Sequence, residues 1–237
     1  MSIEGKVAVI SGGGGALGMA VIRKFLSEGA KVLIGWKSPE GWEKISEVID
    51  DKYKQNCLDM QVDMTNEADV MRFMEKAKTE FGTIDFLLHM VGMFRAGPTI
   101  WETDTEVMEQ LLAVNLKSAF LSAKYGIKIM QEKGRGRFIV FPAKVVLEPE
   151  PGVGAYAISK SGLITLVRAL REELKETKIT ANAVALSVMD TPKTRNMPNA
   201  EPEKWVKPSE VADFLANLCA DECDVLNGSL LKLFARL

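Results

Sequence analysis

Apolar positions along this chain fall into two alternating rhythms. Short, nearly continuous apolar runs at Lys6–Ile10, Lys31–Gly35, Leu58–Val62, Ile84–Met90, Gly136–Phe141, Ile179–Leu186 and Ser229–Leu233 read as strands. Between them, apolar residues recur every three or four positions over Ala16–Glu28, Trp42–Asp50, Glu67–Phe81, Thr105–Gln131, Ala155–Glu176 and Ser209–Ala220, the spacing of amphipathic helices. This alternation predicts βαβ crossovers and a doubly wound α/β fold: a parallel sheet of about seven strands with helices on both faces. A sheet covered on both sides explains why the strands are apolar throughout rather than at every second residue. No repeat, low-complexity segment or linker interrupts the pattern, so residues 1–237 are expected to form one domain. Asp190–Pro208 obeys neither rhythm and contains Pro192, Pro198, Pro202 and Pro208. Residues 187–208 therefore read as a loop or lid over a substrate site.

Composition narrows the function classes. A 47% hydrophobic content supplies a core, and a formal charge of −2 with scattered basic residues gives no footprint for nucleic acid. No apolar stretch approaches the roughly 20 residues that span a bilayer, so no membrane partner is expected. Met1–Lys6 runs straight into the first strand without a signal peptide's apolar region, which makes a soluble cytoplasmic protein the expectation. Three cysteines, Cys57, Cys219 and Cys223, do not describe a disulfide framework. Cys219 and Cys223 are spaced to share a helix face, but the single histidine, His89, is remote in sequence, so no metal is expected.

The candidate chemistry begins in Val7–Gly18, a strand, a glycine-rich turn and a helix start. Glycines let a backbone approach a pyrophosphate closely, and a helix N-terminus offers free N–H groups and a positive dipole end. Ser11, Gly12, Gly15, Ala16, Leu17 and Gly18 are the candidate phosphate-side residues of a nucleotide cofactor. This turn resembles the T-G-x-x-x-G-x-G of the short-chain dehydrogenase/reductase family, whose fold is of the Rossmann type. Ser11 replaces its threonine and Ala16 its middle glycine, while Gly12 and Gly18 match.

The catalytic segment resembles the same family. Tyr156-Ala157-Ile158-Ser159-Lys160 places a phenol and an ammonium one turn apart on a helix face. A neighbouring ammonium favours phenolate and draws the phenol's pKa toward neutrality, which suits proton transfer near pH 7. The resemblance implies an NAD(P)-dependent oxidoreductase acting on a small molecule. Tyr156 would be its proton donor, Lys160 the pKa modifier and nicotinamide-ribose anchor, and Asn115 the organiser of a relay water. It also implies cofactor contacts for Asp63 at the adenine, Gly92 and Thr191, although Asp63 equally fits a helix cap. Gly35-Trp36-Lys37-Ser38 carries no acid for the adenosine ribose and resembles NADP-preferring members. Lys37 would pair with a 2′-phosphate and Trp36 would cover the adenine, so NADP(H) is expected over NAD(H). Ala143, Met189 and Phe94 are candidate substrate contacts. The family's paired-helix interface maps onto Thr105–Gln131 and Ala155–Glu176, implying a homodimer or homotetramer.

Three departures qualify the resemblance. Ala143 stands thirteen residues before Tyr156, where the family has serine, and offers no hydroxyl to a substrate carbonyl. The family's N-N-A-G reads His89-Met90-Val91-Gly92, and its P-G reads Leu186-Ser187. Dihydropteridine reductases share the alanine. They also resemble this chain at Gly15-Ala16-Leu17-Gly18, Ala143-Lys144, Pro151-Gly152, Asp190-Thr191-Pro192, Arg195, Met197-Pro198 and Gly228-Ser229-Leu230, but differ at Trp36, where they carry aspartate. Three readings stay open: a reductase of a carbonyl, quinone or pterin-like acceptor; a dihydropteridine reductase-like enzyme; and a catalytically decayed binding or scaffold protein. Tyr156, Lys160 and Asn115 argue against the last, because a fold alone does not demand them. His89, a lone histidine at a strand end, reads as packed rather than catalytic.

Overall fold

A computed structural model describes residues 2–220 and 225–236. Seven strands, β1 (Val7–Ser11), β2 (Lys31–Trp36), β3 (Cys57–Gln61), β4 (Phe86–His89), β5 (Arg135–Val140), β6 (Lys178–Leu186) and β7 (Leu230–Leu233), form one sheet. Every pairing is parallel and the order is β3-β2-β1-β4-β5-β6-β7. All seven predicted strands are found. The helices are α1 (Ala16–Ser27), α2 (Pro39–Glu47), α3 (Glu67–Phe81), α4 (Thr105–Leu112), α5 (Ser118–Lys133), α6 (Gly154–Glu173) and α7 (Pro208–Cys219).

Successive strand residues feed opposite faces, as the period of two requires. Ala8, Ile10, Val32, Ile34, Phe86 and Leu88 pack under α1 and α7. Val9, Leu33, Leu87, Phe138 and Val140 pack under α3, α5 and α6. Two cores thus sandwich the sheet, and the strand order reverses between β1 and β4. Ligands of open parallel sheets bind in the crevice at that reversal, beyond the strands' carboxyl ends. Ser11 and His89 stand opposite each other there.

Two helices differ from expectation. α2 starts three residues early because Ser38 caps it, its Oγ accepting from the Gly41 N–H at 3.2 Å, with Pro39 in the first turn. The predicted single helix Thr105–Gln131 is interrupted by a π-turn, Ala113–Lys117, centred on Asn115. Such one-residue insertions in a helical ladder re-aim side chains and leave no mark in a hydrophobic pattern. α7 ends at Cys219, and Cys223 lies outside the described residues. Among the described residues no helix is long and apolar enough to cross a membrane.

Candidate active site

The glycine turn is a cradle that side chains would fill. A Cβ on Gly12, whose φ is +79°, would sit 2.9 Å from the Met90 carbonyl carbon and the Val91 nitrogen. One on Gly18 would lie 2.7 Å from Gly12 and Gly13 backbone atoms. Gly15 precedes α1 with no side-chain cap, and the first turn holds no acid. The N–H groups of Ala16, Leu17 and Gly18 are first-turn donors, which lack intrahelical partners. This end of the crevice suits a pyrophosphate.

Beyond it lies a cavity of about 80 Å³, walled by Gly12, Gly35, Val62, Met64, Val91 and Val114, with Lys37 and Asp63 also lining it. Its apolar walls suit a planar heterocycle such as adenine. Lys37 Nζ lies 2.7 Å from Asp63 Oδ2. Asp63 also holds the Thr65 N–H and hydroxyl, whereas Asn66 caps α3, so Asp63 secures the preceding turn rather than the helix. Trp36, expected to cover the adenine, is among the residues that line this cavity. Its indole N–H donates to Asp59 Oδ2 at 2.7 Å and its ring stacks on Trp42, with centroids 5.8 Å apart. The ring borders the cavity but is held by partners of its own.

At the inner end, α6 and the π-turn bring the catalytic candidates together. Asn115, fully buried, donates through Nδ2 to Met93 O and Ser159 Oγ, both at 2.9 Å, and its Oδ1 accepts from Met93 N at 2.7 Å. Ser159 Oγ donates in turn to Tyr156 O. Both amide hydrogens of Asn115 are thereby spent in positioning, and its Oδ1 accepts one bond. Lys160 Nζ donates to Phe141 O at 2.9 Å. A Cβ on Gly92 would lie 2.8 Å from Lys160 Nζ and 3.3 Å from Asn115 Oδ1, so a side chain there would have to displace the ammonium.

The electrostatics depart from the expected pairing. Burial pushes the Tyr156 phenol up to about 12 and lowers the Lys160 ammonium to about 8. Desolvation disfavours each charged form, and at Tyr156 it is the cause of the shift. At neutral pH Tyr156 is a protonated phenol. Its ring meets the exposed Phe94 edge-on, at 5.0 Å between centroids.

His89 is packed, as expected, but in a specific network. Nδ1 lies 2.9 Å from Ser11 Oγ and Ser122 Oγ, and Nε2 lies 2.9 Å from Ser118 Oγ. Ser118 gives its own proton to Val114 O, so its oxygen accepts and Nε2 carries the hydrogen. Burial first, and then the charge of Lys160, lower His89 to about 3. The neutral imidazole ties the end of β1 to the first turns of α5.

On the substrate side, Ala143 bridges to Leu186 and Met189 to Val206. The Thr191 hydroxyl accepts from Thr194 N and pairs with its hydroxyl, so as a cofactor contact it would have to leave Thr194. Arg195 holds Asp190 through two bonds of 2.5 and 2.8 Å. Sequence reading missed Ser159, Asp59 and Trp42. Only Ser159 left a signal: a serine one turn from Tyr156 on the buried side of α6.

Comparison with known proteins agrees with this geometry. The family model described as short chain dehydrogenase matches residues 6–202. The (21S)-21-acetoxyl-apo-melianone synthase of Melia azedarach is 32% identical over 186 residues, 77% of this chain and 66% of that protein. The 3-oxoacyl-(acyl-carrier-protein) reductase FabG of Escherichia coli is 28% identical, with 98% and 96% covered. The solved 3-ketoacyl-(acyl-carrier-protein) reductase of Brucella melitensis, complexed with NADH, superposes with a TM-score of 0.87 at 26% identity, covering 99% of each chain.

Proposed function

The chain belongs to the short-chain dehydrogenase family and is an NAD(P)-linked oxidoreductase, and from that premise we propose that it is an NADPH-preferring reductase in which Tyr156 protonates an electron-poor acceptor. The observation that carries this reading is the buried arrangement of Tyr156, Ser159, Asn115 and Lys160 around Gly92. The glycine cradle and the free first turn of α1 take the pyrophosphate, and Lys37 takes a 2′-phosphate.

When bound, the reduced nicotinamide supplies a hydride. Tyr156, kept protonated by its burial, supplies the balancing proton from Oη to the acceptor, and the tyrosinate regains one from solvent. Lys160, freed from Phe141 O, holds the nicotinamide ribose and stabilises the tyrosinate. A phenol at about 12 holds its proton near neutral pH, so the proton is present in the free site and its release depends on Lys160 stabilising the tyrosinate.

Ala143 places no second donor beside the acceptor. A plain ketone, which develops charge on one oxygen, is poorly served. A quinone or a quinonoid pterin spreads that charge over a ring and is better served. Phe94 and Met189 border the same space, and the loop 187–208 covers it. The acceptor preference is tested by turnover of NADPH against matched panels of ketones and electron-poor rings. The reading expects the rings to win, and Ala143→Ser to leave ring turnover unimproved. Ketones favoured by the wild type, or a large gain on rings from the serine, would contradict it.

The helices α5 and α6 carry the half-exposed Phe120 and Ile158, and we assign them to contact with a second copy of this chain in a closed homodimer or tetramer. Light scattering at micromolar concentration checks this; a monomer would refute it.

A further inference from the structure

A π-turn bonds each N–H five residues back instead of four, so a carbonyl of the turn loses its usual amide partner. Here the Ser118 N–H bonds Ala113 O rather than Val114 O. The Ser118 hydroxyl stands in for that amide and donates to Val114 O. A hydroxyl rotates freely unless its oxygen is held, and His89 holds it. The imidazole Nε2 lies 2.9 Å from Ser118 Oγ. With the Ser118 proton already spent, Nε2–H is the donor of that bond. Nδ1 is then the acceptor. Ser11 Oγ, 2.9 Å away, donates to it, because Ser122 gives its own proton to Ser118 O. The donors therefore run one way, from the end of β1 through the imidazole and Ser118 into the π-turn. All four side chains are buried, so bulk water does not stand in for a missing member.

The turn held in this way carries Asn115, whose amide joins Met93 to Ser159, and Ser159 in turn bonds Tyr156 O. We propose that His89 is a positioning residue for Asn115, holding the π-turn in register through the Ser118 hydroxyl. The inference rests on reading Asn115, Tyr156 and Lys160 as the catalytic centre. Without a hydroxyl on Val114 O, the turn recovers a bond by returning the Ser118 N–H to that carbonyl. This closes the turn to the ordinary helical register. It rotates Asn115 by one residue, about 100° around the helix axis, away from Met93 and Ser159. His89 itself stays remote from the acceptor and acts on the reaction only through Ser118 and Asn115.

The test combines three measurements on the purified full chain: turnover of NADPH with the fastest acceptor of the panels above, NADPH affinity by fluorescence, and hydrogen exchange by mass spectrometry. The variants are Ser118→Ala, His89→Leu, the two together, His89→Gln and Asn115→Ala. Leucine fills the site without polar atoms, whereas the glutamine amide nitrogen reaches the place of Nε2 and can donate to Ser118. Ser118→Ala and His89→Leu should each lower kcat by about ten- to a hundred-fold, the scale of a misplacement of about 1 Å. NADPH affinity of Ser118→Ala should stay close to wild type. The double variant should be no slower than the slower single one, since both break one chain. His89→Gln should keep most of kcat. Exchange over residues 113–117 should speed up in Ser118→Ala by about two- to ten-fold, the net worth of one hydrogen bond, and stay at the wild-type rate in α3.

Melting curves set an assay temperature at which the variants are folded; where His89→Leu does not fold, Ser118→Ala and His89→Gln carry the comparison. Wild-type kcat and exchange in Ser118→Ala, with kcat lost in Asn115→Ala, would overturn the positioning role and leave the catalytic centre standing. So would losses that multiply in the double variant, or a His89→Gln enzyme as slow as Ser118→Ala. Wild-type kcat in Asn115→Ala would mean that the centre itself is misread, and the positioning role falls with it.

Discussion

The inner and outer ends of the crevice hold their chemistry by opposite means. At the inner end, Asn115, Ser159, Lys160 and His89 are buried, and their side-chain polar atoms are tied to one another, to backbone or to buried serines. At the outer end, Lys37 and Asp63 meet at the surface, with side-chain exposures of 71% and 35%. Geometry inside is set by packing and desolvation, so function and fold should fail together there. On the proposed reading, selectivity outside is set by exposed charge, which can be rewritten without disturbing the fold. The difference shows why such a scaffold can keep one chemistry while its cofactor changes.

The largest effect expected at the inner end is that of Lys160→Ala. Turnover should fall by roughly 10²–10⁴-fold, and NADPH affinity should fall with it, because ribose anchor and tyrosinate partner are lost together. Steady-state kinetics with direct binding checks this; loss of either alone would split the two roles. Burial lowers Lys160 to about 8 in the free chain, so raising the pH through about 8 removes the ammonium. Wild-type NADPH binding should weaken across that point, and the Lys160→Ala variant should lack the step.

Next come the glycines. A Gly18→Ala methyl would lie 2.7 Å from Gly12 and Gly13 backbone, and forcing it in should destabilise by about 1–3 kcal/mol. Gly15→Ala meets only Gly12 O at 3.7 Å and should be nearly neutral. Urea unfolding of the two variants measures the contrast; equal stabilities would mean the cradle yields.

The smallest effect is acid sensitivity. His89 is held neutral, at about 3, by burial and by Lys160, against about 6.5 in an unfolded chain. Its contribution is fully present above pH 6.5, where neither state binds the proton. It declines as the pH falls from 6.5 toward 3, where only the unfolded state is protonated. From pH 6.5 to 5 the decline is up to ~2 kcal/mol, at about 1.4 kcal/mol per pH unit. His89→Asn should flatten that slope while lowering overall stability. An unchanged slope in urea melts would mean the imidazole is not the group that titrates.

The fold was largely legible because near-continuous apolar strands and 3.6-periodic helices are direct consequences of a covered parallel sheet. All seven strands and the Tyr156–Lys160 turn could be read that way. The π-turn at Asn115 could not, since one inserted residue leaves the pattern of α4 and α5 intact. The sign of the Tyr156 shift was also hidden: spacing reveals the neighbouring lysine, but only the fold reveals the burial that causes the shift. The partners of Trp36, Asp59 on β3 and Trp42 on α2, were not legible because tertiary packing fixes them. The reach of Asn115 to Ser159, 44 residues away, is long-range for the same reason.

The proton donor is the central claim, and single-turnover oxidation of bound NADPH by the best acceptor, followed in wild type and Tyr156→Phe, tests it most directly. The phenylalanine keeps the ring that meets Phe94 and removes only the acidic hydroxyl. The account predicts NADPH affinity close to wild type and a hydride-transfer step slowed by roughly 10²–10⁴-fold. Full-speed oxidation in the variant would make Tyr156 a bystander and contradict the account.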